Sequence, residues 1–149
     1  MPLSDIFDKR SIKPSLESTT REAVFRELVE SIGAVHPALD RDIGLQAIRD
    51  REDKLNTSVA PGVAVPHGYY SGINGIFGAL GLSETGIEYG APDGKPVHCV
   101  FLIIIGEESR EKHLHVLNQV MTLINSDGLE LLRKAGSPEE IHRILSHAR

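Results

Sequence analysis

Residues 97–105 read Val-His-Cys-Val-Phe-Leu-Ile-Ile-Ile, a nearly continuous run of large apolar side chains. Successive side chains of a β-strand point to opposite faces of its sheet, so apolar residues at almost every position predict a strand that is buried on both faces. A turn-forming stretch, Pro-Asp-Gly-Lys-Pro at 92–96, comes directly before it. We therefore expect residues 97–105 to form the central strand of a sheet that has helices on both sides.

Further strands are predicted on the N-terminal side of this run. Residues 76–82 form one of them, with glycines at 75, 78 and 81 that indicate close packing of the chain rather than phosphate binding. A short strand is predicted near Ile12, and another at 63–65, where Pro66 disfavours helix at the residue before it. His67 then follows in a loop at the end of that strand.

Helical spacing of apolar residues marks the segments between the first strands. Thr19 and Glu22 are predicted to form a capping box for a first helix that Gly33 and Pro37 close. Asp40 is predicted to cap a second helix.

The last third of the chain also has the patterns of helices. Leu114 begins an apolar stripe that continues to residue 124, and a short helix follows at 129–132. Ser137 is predicted to cap a terminal helix with Pro138 at its first position. Strands interleaved with helices predict an α/β fold, a single layered domain over residues 1–149 with a mixed central sheet flanked by helices.

Composition limits the possible partners and the location. Hydrophobic residues make up 40% and charged residues 25%, which argues against disorder. The formal net charge of −5 removes the basic field that non-specific nucleic-acid binding needs, so no nucleic-acid partner is predicted. The single Cys99 cannot form an intramolecular disulfide, which indicates a reducing compartment. Because there is neither a secretory signal nor an apolar run near the roughly 20 residues of a membrane helix, we predict a cytoplasmic protein without direct membrane insertion.

His67 is the residue whose chemistry the sequence singles out. It follows Pro66, whose ring stiffens the backbone. A neutral imidazole is a nucleophile near pH 7, so it can attack a phosphoryl group, hold it covalently and release it. Polar groups suited to phosphoryl oxygens lie shortly before it: Arg51, Asn56, Thr57 and Ser58. A lone histidine after proline is more often an ordinary loop residue, so the residues alone leave both interpretations open.

Three stretches of the sequence together resemble one protein family. The first is Arg-Glu at 51–52, Asn-Thr at 56–57 and Pro-Gly-Val-Ala-Val-Pro-His-Gly at 61–68. The second is Asp-Gly-Lys-Pro-Val at 93–97 with the apolar strand after it, and the third is His113-Leu114 followed by Leu117. In this order, and over nearly the whole chain, they resemble the fructose/mannitol-type IIA component, with its nitrogen-regulatory members, of the bacterial phosphoenolpyruvate-dependent sugar phosphotransferase system.

The resemblance implies a phosphotransferase that needs no cofactor. Such a protein accepts phosphate from the histidine phosphocarrier protein HPr on His67, and passes it to a IIB partner or uses it as a regulatory switch. The resemblance also implies that His113 is a second active-site histidine, which would donate an N–H to phosphate oxygens or tune the charge of His67. Arg51 and Thr57 would support the phosphate.

One stretch departs from the family pattern. The family commonly has Gly-Ile-Gly before the Pro-His strand, whereas this chain has Ser-Val-Ala-Pro at 58–61. Fewer glycines and an added proline stiffen the loop, so a second hypothesis stays open: a degenerate IIA homologue that binds a regulatory target without being phosphorylated. Tyr69 and Tyr70 are also open, either as part of the rim that meets HPr or as locally packed residues.

Other chemistries find little support in the sequence. His113 and His115 invite a metal site, but residues two apart on a helix point about 200° apart around its axis. No cysteine pair or HExxH motif supplies further ligands. The chain also lacks a GxSxG elbow, a GxGxxG fingerprint and a Walker A loop. We therefore predict neither a metal site nor a nucleotide site.

Overall fold

The structure is a computed structural model that describes residues 2–147. Over this range the chain forms one mixed sheet of six strands with helices on both faces, which confirms the predicted α/β fold class. The strands are β1 (Phe7–Lys13), β2 (Ser58–Ala60), β3 (Val63–Ala64), β4 (His67–Tyr70), β5 (Ile76–Ile87) and β6 (Val97–Gly106). The helices are α1 (Arg21–Val35), α2 (Arg41–Lys54), α3 (His113–Ile124), α4 (Gly128–Lys134) and α5 (Pro138–His147), and 3₁₀ turns lie at Leu3–Asp5 and Glu107–Lys112.

Strand β6 is the centre of the sheet, as the sequence predicted. It runs antiparallel to β5 on one side and parallel to β3 and β4 on the other, where these two short strands follow one another along its length. Strand β1 lies beyond β5, and β2 lies beyond β3. Each side of β6 is therefore paired, and the site-bearing strand β4 is held directly by the most buried strand of the fold.

Alternate residues of β6 belong to two separate hydrophobic cores. Val100, Leu102 and Ile104 pack on the face that α1 and α2 cover. Phe101 and Ile103 pack on the face that α3, α4 and α5 cover, and the buried Cys99 lies on this face too. Burial raises the pKa of the Cys99 thiol well above its usual range. Both faces of the strand are buried from solvent, which explains why its sequence is apolar at nearly every position.

The glycines of β5 serve close packing, as predicted. A Cβ at residue 78 would lie 2.5 Å from the ring of Phe7, and one at residue 81 would lie 2.6 Å from the side chain of Leu16. No side chain larger than hydrogen fits at either position without displacing a neighbour. These contacts bring β1 and the segment after it tightly against the sheet.

The start of α1 differs from the prediction by one residue. Thr20, not Thr19, is the N-cap, because its hydroxyl oxygen accepts a hydrogen bond at 3.4 Å from the backbone N–H three residues on. The carbonyl of Thr19 instead accepts a hydrogen bond from Glu88 N–H at 2.8 Å, which ties this segment to the end of β5. Glu22 pairs with Arg49 of α2 rather than closing a capping box. Because Thr19 pairs with the end of the sheet, the helix begins one residue later than predicted.

The end of α1 also differs from the prediction. The helix continues through Gly33 to Val35, and Pro37 follows its C-cap, His36. A Cβ at Gly33 would lie 2.8 Å from the side chain of Arg41, so the glycine allows close approach and does not end the helix.

The predicted caps of α2 and α5 are confirmed. The Asp40 carboxylate accepts hydrogen bonds from two N–H groups of the first turn of α2, at 2.9 and 3.1 Å. Ser137 accepts one at 3.2 Å from Glu140 N–H in α5. The predicted apolar stripe of α3 packs on the core from residue 117 onwards, but Leu114 is 69% exposed and Val116 is buried in its place. Within residues 2–147 no helix has the length and apolar character needed to cross a bilayer.

Candidate functional site

His67 is the first residue of β4, so its predicted place in a loop was wrong. Pro66 cannot donate to the ladder, yet its carbonyl accepts a hydrogen bond at 2.9 Å from Ile103 N–H, and pairing with β6 resumes at His67. The next residue, Gly68, presses against α2, where an added Cβ would lie 2.5 Å from the carbonyl oxygen of Ala47. The backbone of His67 is therefore fixed between the central strand and α2.

The imidazole of His67 has a defined tautomer when it is neutral. Its Nδ1 lies 2.8 Å from the carbonyl oxygen of Val65. A carbonyl can only accept a hydrogen bond, so Nδ1 carries the proton and donates it. In the neutral ring Nε2 is then left with a free lone pair, which makes Nε2 the nucleophilic atom.

The surroundings of His67 favour its neutral form. Its side chain is almost completely buried, and burial lowers the pKa of the imidazole because it disfavours the cation. The hydrogen bond to Val65 acts in the opposite direction, while the charges of Arg51 and His113 lower the pKa further. The net effect is a histidine that stays neutral and nucleophilic at lower pH than a free one.

We expect His67 to titrate with a midpoint below about 6.5, the value of a histidine in a short peptide. Its folded pKa is lower than its unfolded pKa, so the unfolded state binds more protons between the two values. The contribution of this group to folding stability is therefore lost as the pH falls through about 6.5 towards the folded pKa, and changes no further below it. NMR titration of the imidazole signals measures the midpoint, and a value above that of a peptide histidine would contradict this account.

His113, at the first position of α3, lies beside His67. Their ring centroids are 5.0 Å apart, with the planes at 58°. Nδ1 of His113 is hydrogen-bonded to the hydroxyl of Tyr69, whereas its Nε2 is buried and has no hydrogen-bond partner in the described part of the chain. Burial lowers the pKa of His113, and the cations Arg51 and Arg110 lower it further.

Residues 2–147 contain no group of three or more His, Cys, Asp or Glu side chains arranged to hold a metal ion.

The two tyrosines after His67 have different roles. Tyr69 lies on the same face of β4 as His67, two residues on, and contacts His113 edge to face at 5.3 Å between ring centroids. The guanidinium of Arg110 lies over the Tyr69 ring at 4.4 Å. Tyr70 points the other way, and its buried hydroxyl accepts a hydrogen bond from Asp40 N–H at 2.9 Å. Sequence reasoning missed the contact between Tyr69 and His113 because it placed His67 in a loop, where alternation of side chains gives no signal.

Arg51 lies in the last turn of α2 and faces His67. One of its terminal nitrogens donates a 2.8 Å hydrogen bond to the carbonyl of Leu55, which satisfies a carbonyl at the end of the helix. A cavity of about 320 Å³, which we call the polar cavity because most of the residues in its walls are polar or charged, opens beside His67. Its walls are formed by Ala47, Asp50, Arg51, Lys54, His67, Gly68, Tyr69 and His113. The two histidines, a guanidinium, an ammonium and the carboxylate of Asp50 thus share one cavity.

A second, smaller cavity of about 160 Å³ also has His67 in its wall. Its walls are mainly apolar, and are formed by Arg51, Leu55, Asn56, Thr57, Val59, Val65, His67, Leu117 and Met121. Leu55 and Val59 on its rim are 68% and 46% exposed. His67 and Arg51 therefore line both the polar and the apolar cavity.

Thr57 lines the apolar cavity, but its hydroxyl is already bonded. It donates to Oε1 of Glu52 at 2.6 Å and lies 2.8 Å from the hydroxyl of Tyr89. The side chain of Asn56 is also engaged, with Gly90 and Ser58. The structure thus brings His67, His113 and Arg51 together around one cavity and holds the Thr57 hydroxyl in a buried cluster beside it.

Comparison with known proteins shows what this chain is similar to. A sequence profile of the family described as phosphoenolpyruvate-dependent sugar phosphotransferase system, EIIA 2, matches residues 5–148. A fructose-specific EIIABC component of Bacillus subtilis is 30% identical over 98% of this chain, which spans only 23% of that protein.

Two solved structures have the same fold. The nitrogen regulatory protein IIA-Ntr of Neisseria meningitidis is 26% identical and superposes with a TM-score of 0.87 over 96% of this chain and 98% of that one. The mannitol IIA of Escherichia coli, solved in complex with phosphorylated IIB, is 18% identical with a TM-score of 0.73, over 91% of this chain and 94% of that one, and supports the fold alone. The resemblance predicted from the sequence is confirmed: the chain belongs to the EIIA 2 family of the phosphoenolpyruvate-dependent sugar phosphotransferase system.

Proposed function

We propose that this protein is a phosphoryl carrier that accepts phosphate on Nε2 of His67 from an HPr-type phosphocarrier protein. It then passes the phosphate to a IIB partner or uses it as a regulatory switch. One observation carries the proposal. The 2.8 Å hydrogen bond from Nδ1 to the Val65 carbonyl leaves the Nε2 lone pair of His67 free, beside a second histidine and Arg51.

The transfer step needs no group beyond the donor and these residues. The Nε2 lone pair attacks the phosphorus atom, and a new N–P bond forms while the N–P bond of the donor histidine breaks. The electron pair of that bond returns to the donor imidazole. The proton of His67 stays on Nδ1 throughout and continues to be donated to the Val65 carbonyl, so the phosphorylated ring keeps its hydrogen bond.

The polar cavity supplies partners for the phosphoryl oxygens. Arg51 and Lys54 bring two positive charges against the one negative charge of Asp50, and this excess favours three anionic oxygens. The unpartnered Nε2 of His113 would donate an N–H when Nδ1 accepts the Tyr69 proton. A buried N–H without a partner is unfavourable by about 1–3 kcal/mol, and a phosphoryl oxygen would remove that cost.

The rim of the site suits a protein donor. Leu55, Val59 and Leu114 are large apolar residues that are about half to two-thirds exposed, at 68%, 46% and 69%. Leu55 and Val59 line the apolar cavity beside His67, and Leu114 follows His113. Exposed apolar side chains around a reactive group are typical of a surface that meets another protein.

The alternative is a degenerate IIA homologue that binds a regulatory target without phosphorylation. The Ser-Val-Ala-Pro stretch keeps it open, because it forms strand β2 and the turn to β3, with few glycines to leave the backbone N–H groups accessible. The names of similar proteins divide between sugar transport and nitrogen regulation. Gene neighbours separate these two roles: an adjacent permease and IIB gene would favour transport.

The deciding experiment is phosphorylation of the purified protein by phosphoenolpyruvate, enzyme I and HPr. We expect a mass increase of one phosphate, stable in alkali and labile in acid, as for a phosphohistidine. Failure of the label to appear, with several phosphorylated HPr-type donors, would exclude the carrier and leave the binding module.

Replacement of His113 by alanine should leave phosphate uptake measurable but slow onward transfer to a IIB partner by about a hundredfold, the usual effect of losing one donor to a transferring group. Single-turnover transfer from the phosphorylated protein measures this rate. The control is His115→Ala, an exposed residue of the same helix. Onward transfer at the rate of that control would remove His113 from the site.

A further inference from the structure

Glu52 is a buried carboxylate in the last turn of α2, only 6% exposed. Its Oε2 accepts a hydrogen bond from Thr57 N–H at 2.7 Å, and its Oε1 accepts one from the Thr57 hydroxyl at 2.6 Å. The hydroxyl of Tyr89 lies 3.0 Å from Oε1. Burial, followed by the nearby charge of Glu52, raises the pKa of Tyr89, so this hydroxyl keeps its proton and acts as a donor.

The hydrogen bonds of Glu52 lead to the imidazole of His67 in three steps. The backbone of Thr57 is held by Glu52, and the carbonyl of Thr57 accepts a hydrogen bond from Val65 N–H at 2.9 Å. The carbonyl of Val65 in turn accepts the Nδ1 proton of His67 at 2.8 Å. Every group along this path is backbone except the two ends, so the position of the Val65 carbonyl depends on where Thr57 is held.

Besides Glu52, only polar contacts hold the segment between α2 and β2: Arg51 donates to the Leu55 carbonyl, and the Asn56 side chain bonds to Gly90 and Ser58. Leu55 is 68% exposed, and Asn56 is partly exposed. Apolar packing therefore does not fix the backbone before Thr57. A buried carboxylate is unfavourable unless several donors satisfy it, and an apolar side chain would fill the same space without that cost. The three donors around Glu52 give the segment a single position instead.

We propose that Glu52 is a positioning residue for phosphoryl transfer. By holding Thr57, it places the Val65 carbonyl that keeps the proton of His67 on Nδ1 and the lone pair on Nε2. This inference rests on the proposed function for its kinetic consequence, but its structural part, the tautomer of His67, is measurable without any phosphate. It also gives Thr57 a role through its backbone and its bond to Glu52.

The test compares Glu52→Gln with Asp53→Asn. Glutamine has the shape of glutamate, but its NH₂ group cannot accept from Thr57 N–H or from the hydroxyl, so at least one bond is lost. Asp53 is an exposed carboxylate on the same helix and serves as the matched control. Two quantities are measured: the His67 tautomer, from ¹⁵N shifts of the imidazole above its pKa, and the rate of phosphorylation by phospho-HPr.

We expect Asp53→Asn to match the wild type in both quantities. Glu52→Gln should show a mixture of His67 tautomers and a rate about tenfold lower, as for a reacting group that is misplaced without being removed. A wild-type tautomer in Glu52→Gln would overturn the proposal, even if the rate fell. A wild-type protein that is never phosphorylated would refute the proposed function, whereas the tautomer comparison would still decide the role of Glu52.

A milder variant covers the case in which Glu52→Gln does not fold. Tyr89→Phe removes one hydroxyl from Oε1 and leaves both bonds from Thr57 in place. We expect a smaller change of the same kind, a detectable second tautomer of His67 and a rate about threefold lower. An unchanged tautomer in folded Tyr89→Phe, together with an unfolded Glu52→Gln, would assign Glu52 to folding alone and overturn the proposal.

Discussion

His67→Ala is expected to abolish phosphorylation, with at least about a thousandfold loss of label under conditions that phosphorylate the wild type fully. Alanine has no lone pair to form the N–P bond, and no other nucleophile occupies the place of Nε2. The pairing of β4 with β6 is made by backbone groups, so removal of the side chain should leave it intact. Mass spectrometry of the intact protein after incubation with the phosphoenolpyruvate system gives the result.

Alanine variants of two other histidines test whether the loss of phosphorylation is specific to His67. His115→Ala and His113→Ala should both still carry one phosphate, because neither residue supplies the attacking atom in the proposed reaction. Far-ultraviolet circular dichroism of each variant checks that it is folded. Full labelling of His67→Ala would move the acceptor to another residue, with His113 the first to examine, since its ring centroid is 5.0 Å from that of His67.

Gly68→Ala is expected to destabilise the fold by about 3 kcal/mol, the upper part of the range for overpacked sites. The added methyl would lie 2.5 Å from the carbonyl oxygen and 2.6 Å from the carbonyl carbon of Ala47, both backbone atoms of α2. A helix backbone cannot turn away as a side chain does, so α2 and β4 must separate. Urea unfolding of the two proteins measures the free energy of unfolding.

Gly136→Ala is the matched control for this substitution. Nothing lies within 4 Å of a Cβ at that position, so its free energy of unfolding should stay within about 0.5 kcal/mol of the wild type. Because β4 carries His67 at its first position, separation from α2 should also slow phosphorylation in whatever Gly68→Ala protein remains folded. A Gly68→Ala protein as stable as the control would mean that α2 and β4 pack less closely than described.

The central strand was predictable because its evidence is local. Residues 97–105 are apolar at nearly every position, and this pattern alone gives a strand buried on both faces. The Asp40 and Ser137 caps were predictable for the same reason, since a cap acts within one turn of its own helix. The family resemblance added the identity of the fold.

The errors occurred where distant segments meet. Thr20 replaces Thr19 as the cap because Thr19 pairs with Glu88, the residue directly after β5 and about seventy residues away in sequence. His67 starts a strand because β6 offers it a partner, and no local signal near Pro66 reveals that strand. Such pairings depend on the assembled sheet, which propensity and spacing do not describe.

The sequence named side chains that the structure brings together, but it did not reveal the contacts between them. Sequence resemblance pointed to His67, His113 and Arg51, and the structure brings these side chains around one cavity. The sequence did not reveal that Tyr69 contacts His113 or that the Thr57 hydroxyl is bonded to Glu52. The first contact follows from alternation along β4, and the second from a loop that folds back onto its own helix.

The burial of Cys99 in the central strand has a practical consequence for kinetics. A thiol reagent cannot reach a residue with 0% exposure until the sheet around it opens. Its raised pKa further keeps it in the unreactive thiol form while the protein is folded. The rate of alkylation of this one sulfur therefore measures how often the sheet around it opens, and it can be measured in the same samples that are phosphorylated.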